Sequence, residues 1–275
     1  MKNTIQLLNK YTGSPAAIEK ELILADILNC KRKDLFVKNI EITEDIESSY
    51  DVSIKRLLKR VPLQHITRSA RFMERDFFVN EDVLIPRPET ELLVTEILTI
   101  HGSRFTANIL DLCTGSGNIA VSLALALPDI SISATDISDK AINIARRNAV
   151  THHVEEKIKF YVGDLFKALS FDKNNKFDII VCNPPYIKSS ELDFLQEEVR
   201  QEPKPALDGG EDGLMFYRYL AQNSRRYLGE KGSLVLEIGK DQLLYIEDIF
   251  KQWSYKIKRT KKDFQGIERV VWIGL

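Results

Sequence analysis

Asn183-Pro184-Pro185-Tyr186 brings together residue types that suit one kind of reaction. The Asn183 side-chain oxygen and the Pro184 carbonyl can each accept one hydrogen of a planar NH2 group. Holding both hydrogens orients the nitrogen and favours the positive charge that develops on it as it attacks a methyl carbon. An amide nitrogen needs such help, because its lone pair is delocalised into the carbonyl. Two prolines stiffen the turn before substrate arrives, and Tyr186 can stack flat on the substrate plane. No general base is required ahead of attack, since the proton becomes acidic only once the methyl is on. The competing explanation is a proline-rich turn that merely caps a strand. The tetrapeptide points to N-methylation of a planar amino or amide group, with Asn183, Pro184 and Tyr186 as catalytic residues.

A second constellation is Asp111-Leu112-Cys113-Thr114-Gly115-Ser116-Gly117-Asn118-Ile119-Ala120, a G-x-G-x-x-A loop after an apolar strand pattern and before a helical one. Its glycines permit a tight turn and close approach of a ligand to a helix N-terminus. Asp136 ends the next strand, about 20 residues on, where a carboxylate can accept hydrogen bonds from both ribose hydroxyls. The pattern predicts an adenosine-containing ligand. Nicotinamide dinucleotides use the same geometry, but Asp111 favours S-adenosylmethionine: an acid there suits an ammonium and repels a pyrophosphate.

These motifs need elements to position them. Strand patterns read at 109–112, 130–135, 158–162, 177–181 and 233–238, with helices over 118–127 and 141–149. Strands alternating with helices predict parallel pairing in a doubly wound, Rossmann-like α/β sheet. Both motifs then fall at the carboxyl edge of the sheet, where ligands bind. The stretch 254–275 reads as a closing antiparallel hairpin. Up to residue 67 the pattern is helical, with Ile18, Leu22, Ala25 and Leu28 on one expected core face, and Ile54, Leu57, Leu58 and Val61 repeating that spacing. Rough alternation over Arg71–Asn80 predicts a hairpin between the two parts. The expected organisation is a helical domain over 1–67, a β-hairpin linker over 68–88 and a methyltransferase domain over 89–275.

Composition narrows the classes. The 275 residues carry 39 Lys and Arg against 40 Asp and Glu, which argues against a protein that lives by neutralising phosphates. The basic run 256–262 reads as a solvated edge strand. Cys30, Cys113 and Cys182 are too scattered for a disulfide framework, and with the adjacent pair His152-His153, expected at a solvated helix end, they make no metal site. No apolar run approaches the length of a membrane span, and Met1-Lys2-Asn3-Thr4 lacks the build of a signal peptide. A reducing, cytoplasmic setting is the expectation. Cys113 and Cys182 each follow a strand, and the two strands are expected to be neighbours. Their thiols are then either a pair beneath the cofactor or two small buried hydrophobes, the commoner outcome.

Taken together, these segments resemble the protein-(glutamine-N5) methyltransferases of peptide chain release factors (PrmC/HemK family). Leu84-Ile85-Pro86-Arg87-Pro88-Glu89-Thr90-Glu91 is similar to the family's signature ahead of its catalytic domain. The stretches 111–117 and 183–186 resemble its cofactor loop and catalytic turn, and 206–214 and 236–239 resemble two further segments. The resemblance implies S-adenosylmethionine, yielding S-adenosylhomocysteine, held by Asp111, Leu112, Cys113, Thr114, Gly115, Asp136, Leu165 and Asn183. It implies that Asn183, Pro184, Pro185 and Tyr186 hold the glutamine of the Gly-Gly-Gln motif of class I release factors, with the helical domain over 1–67 as a substrate-binding domain. No nucleic acid or membrane partner is implied, and a monomer suffices. Two positions depart from the family. Many members have glycine where Cys113 stands and a Trp where Leu165 stands, so Leu165 or Phe166 covers the adenine less tightly, by about 1 kcal/mol. Asn-Pro-Pro-Tyr also occurs in adenine-N6 methyltransferases of DNA or RNA, the main rival. A nicotinamide-dependent oxidoreductase would leave the tetrapeptide without a task, and a non-catalytic module would have no use for Asn183.

Overall fold

The structure, a computed structural model, describes residues 2–11, 13, 15–38, 40–102, 106–169 and 176–275. It divides into two compact units, 1–69 with 196–201, and 70–195 with 202–275.

The first unit is helical. Strands β1 (Lys2–Asn3) and β2 (Glu41–Ile42) form a short antiparallel pair among helices α1 (Thr4–Leu8), α2 (Ala17–Ile27), α3 (Asp34–Val37), α4 (Glu44–Leu58) and α5 (Leu63–Thr67). Helix α4 is locally well specified. Thr43 caps it, acids Glu44, Asp45 and Glu47 fill its first turn, and Lys55 and Arg56 its last, a charge order that opposes the helix dipole. Leu7, Ile23, Leu24, Leu35, Tyr50 and Ile54 form the core. The expected face of α2 needs correcting. Ile18 and Leu22 are exposed, whereas Ile23, Leu24 and Ala25 are buried. The helix is apolar nearly all round, so periodicity alone does not select the buried side. Leu58 is likewise exposed, beside buried Ile54 and Leu57.

In the second unit a hairpin of β3 (Ser69–Phe72) and β4 (Arg75–Phe78) comes first, as expected. Met73 and Glu74 turn it with positive φ at both positions, and Glu91 accepts the Met73 N–H at 2.8 Å. Helix α6 (Pro88–His101) follows. The sheet strands and their helices are β5 (Ala107–Leu112), α7 (Asn118–Ala126), β6 (Ile130–Asp136), α8 (Asp139–Thr151), β7 (Ile158–Val162), β8 (Phe177–Cys182), α9 (Met215–Asn223), β9 (Leu228–Glu237), α10 (Leu243–Lys251), β10 (Lys256–Lys262) and β11 (Glu268–Gly274). The strand order is β10-β11-β9-β8-β5-β6-β7. Strands β9, β8, β5, β6 and β7 run parallel, and β11 and β10 close the sheet antiparallel. One apolar core holds α6 and α7 against one face, and a second holds α9 and α10 against the other. The sheet is doubly wound.

The chain builds outward from β5 through β6 to β7, then returns to place β8 on the other side of β5. That reversal opens a crevice beyond the carboxyl ends of β5 and β8, and both sequence motifs start there. Edge strand β10 is solvated as expected, although Arg259 and Lys261 both pair with the buried carboxylate of Glu96. His152 ends α8, with a ring nitrogen 3.0 Å from the Asp76 carbonyl. Among the described residues no helix is long and apolar enough to cross a membrane.

Candidate active site

The loop after β5 is tied down from three sides. The Thr114 N–H donates to the Thr135 carbonyl at 2.9 Å. Asp136 accepts the Gly115 N–H at 2.9 Å through one oxygen and the Ser138 N–H at 3.0 Å through the other. The buried Asn148 side chain donates to the Ser116 and Phe78 carbonyls and accepts the Phe78 N–H, joining loop, α8 and hairpin. A loop held this way offers its backbone to a ligand without first having to order itself.

Asp111 lies beneath the loop, fully buried. One oxygen accepts the Thr114 hydroxyl at 2.6 Å, while the other has no partner among the described residues. Burial, with Asp136 nearby, pushes its carboxyl up to about 7. Burial also raises the Asp136 carboxyl.

The turn after β8 is clasped as firmly. Its flanks pair with the segment 207–213: the Ile187 N–H donates to the Leu207 carbonyl at 3.1 Å, and the Gly209 N–H to the Ile187 carbonyl at 2.7 Å. Gly213, at φ +76, presses so closely on the turn that a Cβ there would sit 2.5 Å from the Tyr186 carbonyl oxygen. Gln242 completes the clamp, donating to the Tyr186 carbonyl at 3.0 Å and accepting the Gly239 N–H at 2.9 Å. The Asn183 amide donates to the Thr90 hydroxyl at 3.0 Å. Beyond Thr90 lies Glu237, whose carboxylate the Tyr186 hydroxyl approaches at 3.5 Å. Burial pushes Glu237 up to about 7, against the pull of the Thr90 hydroxyl and the Arg269 charge.

A cavity of about 340 Å³ opens between the two loops, within the range of small-ligand sites. It gathers Cys113, Gly115, Asp136, Leu165, Asn183 and Pro185 from among the expected site residues. Leu112, Thr114 and Pro184 are buried behind its wall, as is Asp111, which the sequence suggested would face a ligand ammonium. Tyr186, expected over the substrate, lines an adjoining cavity with Lys188, Gly239 and Gln242. Leu165 rather than Phe166 reaches the ligand cavity, because Phe166 is stacked on Tyr227 at 4.4 Å between ring centres. Strands β5 and β8 pair with Leu112 opposite Cys182, which places Cys113 beside it, and burial together with that neighbour holds the Cys182 thiol well above its ordinary pKa.

The lining carries four carboxylates, Glu81, Asp82, Asp136 and Asp164, and no basic side chain. Lys140 and Lys167 pair with Asp82 and Asp164 from outside it. A pyrophosphate has no favourable partner here, whereas a cationic sulfonium ligand does. Apolar Val83, Leu84, Ile137, Leu165 and Phe216 line the remainder. The residues present therefore fit S-adenosylmethionine.

Sequence reasoning missed three partners. Thr90 and Glu237 stand behind Asn183, and buried Glu202 accepts the Ile85 N–H at 2.9 Å while pairing with Arg87. The segments 84–91 and 236–239, singled out by resemblance, contain Thr90 and Glu237, but nothing in either revealed these contacts.

A model of the methyltransferase small domain matches residues 88–261, and one of the PrmC N-terminal domain matches residues 2–67. The chain is 37% identical to the release factor glutamine methyltransferase of Thermodesulfovibrio yellowstonii, over 97% of this chain and 94% of that one. It is 38% identical to that of Leptospira interrogans, over 98% and 95%. A bifunctional methyltransferase of Rickettsia typhi is 34% identical over all of this chain, which spans 56% of that longer protein. Among solved structures, a methyltransferase from Pyrococcus furiosus shares the fold at a TM-score of 0.55 and 17% identity, over 81% of this chain and 96% of that one.

Proposed function

The chain belongs to the release factor glutamine methyltransferases, and on that premise we propose that it methylates the side-chain amide nitrogen, N5, of the glutamine in the Gly-Gly-Gln motif of class I release factors. The product would serve translation termination. One observation carries this reading: the loop of Cys113 and Gly115, the Asp136 carboxylate and the Asn183 amide all open on a single cavity. S-adenosylmethionine, when bound, supplies an electrophilic methyl group on a sulfonium. Asp136 would hold its ribose, having lone pairs to spare beyond the two backbone N–H groups it already accepts. Leu165 would cover its adenine. The buried Asp111 would act from beneath the loop, favouring a cation above it once its carboxyl, raised to about 7, is ionised.

The glutamine amide would be held by the Asn183 side-chain oxygen and the Pro184 carbonyl, one hydrogen each, in the turn that Gly213 and Gln242 keep rigid. Both acceptors gain strength as positive charge develops on the nitrogen, so they stabilise the transition state more than the ground state. The proton then leaves from a nitrogen already made acidic. The reading includes a cytoplasmic monomer acting on a protein and not on nucleic acid.

The decisive experiment is mass spectrometry of a class I release factor after incubation with this protein and S-adenosylmethionine. One added methyl on the glutamine of Gly-Gly-Gln is expected. Transfer to adenine of DNA or RNA, with an unmodified factor, would replace this reading by the nucleic-acid one.

A further inference from the structure

An asparagine side chain can face a substrate with either end. Its oxygen accepts hydrogen bonds and its NH2 donates them, and the two ends are nearly equal in size. Holding a glutamine NH2 requires the oxygen. Something on the protein must forbid the reverse orientation, in which two NH2 groups would confront each other.

The arrangement behind Asn183 does this. Its Nδ2 lies 3.0 Å from the Thr90 hydroxyl, and no donor among the described residues bonds its oxygen. Thr90 is 2% exposed and Glu237 1%, so neither can turn to water for a substitute. A hydroxyl has one hydrogen to give. Glu237, whose buried carboxylate the Tyr186 hydroxyl approaches at 3.5 Å, stands beside Thr90 as well, and above about pH 7, where it is ionised and can only accept, it draws the Thr90 hydrogen in preference to a neutral amide. The Thr90 oxygen is then free only to accept, and what it accepts is the Asn183 NH2. The first turn of α6 fixes the hydroxyl in place, opening at Pro88 with the Thr90 N–H donating to the Arg87 carbonyl at 3.0 Å.

We propose that Thr90 is a positioning residue that sets the polarity of Asn183: the direction of hydrogen bonding from Asn183 through Thr90 to Glu237 leaves the amide oxygen as the acceptor on the cavity side. This rests on the reading of Asn183 as the group that holds the substrate amide. It gives the Pro-Arg-Pro-Glu-Thr-Glu segment a task in the chemistry, and it accounts for a buried carboxylate at the end of β9.

The test has two arms. The first uses 15N-labelled protein with neither cofactor nor substrate, the Asn183 NH2 signal being identified by its loss in Asn183→Ala. The parent should show slow hydrogen exchange of that NH2. Thr90→Val should return it to the behaviour of a free amide, and Thr90→Ser should keep it protected. Fast exchange in the parent itself would overturn the proposal, whether or not any variant folds. The second arm measures methyl transfer to a release factor. Thr90→Val should lower kcat about 10-fold or more with cofactor affinity within twofold of the parent, and Thr90→Ser should restore most of it. A Thr90→Val enzyme with parental kcat and a protected Asn183 NH2 would also overturn it. A parent that leaves the release factor unmodified would refute the functional reading, while the first arm still decides the relay.

Discussion

On the proposed reading, Asn183 and Asp136 divide the work of the site between chemistry and binding. Removing the Asn183 acceptor should cost the methyl-transfer step two or more orders of magnitude, about 3 kcal/mol. Asn183→Ala should therefore show a collapsed kcat and a much smaller change in S-adenosylmethionine affinity, and turnover within fivefold of the parent would remove Asn183 from catalysis. Asp136→Ala should show the reverse split. Its carboxylate both holds Gly115 and Ser138 and faces the cavity, so calorimetry should find cofactor affinity weakened by 10-fold or more. Unchanged affinity would place the ribose elsewhere. Both residues were legible in the sequence, because a strand end followed by a distinctive turn announces its position in a doubly wound sheet. Thr90 and Glu237 were not. The Asn183–Thr90 hydrogen bond spans 93 positions of chain, and no local pattern marks a threonine in a helical first turn as anyone's partner. For Tyr186 the residue type suggested stacking on substrate but not the clasp on its backbone or its approach to Glu237.

At the level of elements, the turn 183–186 owes its shape to a segment that has no regular structure. The stretch 207–213 grips it through backbone bonds and through Gly213, which combines positive φ with near contact to Tyr186. Gly266 has a similar φ, +81, but open space around its Cα. Comparing Gly213→Ala with Gly266→Ala separates the two costs. Each should pay about 1–2 kcal/mol for the left-handed conformation, and only Gly213→Ala should also lose turnover, by 10-fold or more, as the turn is pushed aside. Equal activity in both variants would show that the grip has no bearing on catalysis. The sequence displayed this segment only as a glycine-rich stretch, since glycines reveal a close approach without saying what approaches. Helix α2 failed for a related reason. With apolar residues on most sides, its burial is decided by which neighbours α4 and α5 present, and that is a tertiary matter. The central strands β5 and β8 were easier, because both faces are covered and nearly every residue is buried.

For the molecule as a whole, two buried carboxyls set the response to pH. Asp111 and Glu237 are both raised to about 7 by burial, well above the ordinary carboxylate range near 4. The folded state thus holds these protons where the unfolded chain has released them. The stability they contribute is complete below about pH 4 and is lost as pH rises through 7. The carboxyls of Asp212, Asp263 and Glu268 are shifted down by their Arg and Lys partners and act below that window. Ligand-free protein should therefore melt at a lower temperature at pH 8 than at pH 5.5, and Glu237→Gln should remove part of that slope. An identical slope in the variant would show that Glu237 does not titrate there. The sheet order has a consequence of another kind, for how such a molecule is made. Strand β11 lies between β9 and β10 yet follows both along the chain. A polypeptide emerging from the ribosome therefore presents two strands that wait, unpaired on their facing edges, for the one that belongs between them. That late arrival also carries Arg269, the positive charge beside Glu237 and Tyr186. The electrostatics of the turn 183–186 are thus completed by the last strand of the sheet to be synthesised, so a nascent chain that has not yet reached it holds the motifs without the environment that tunes them.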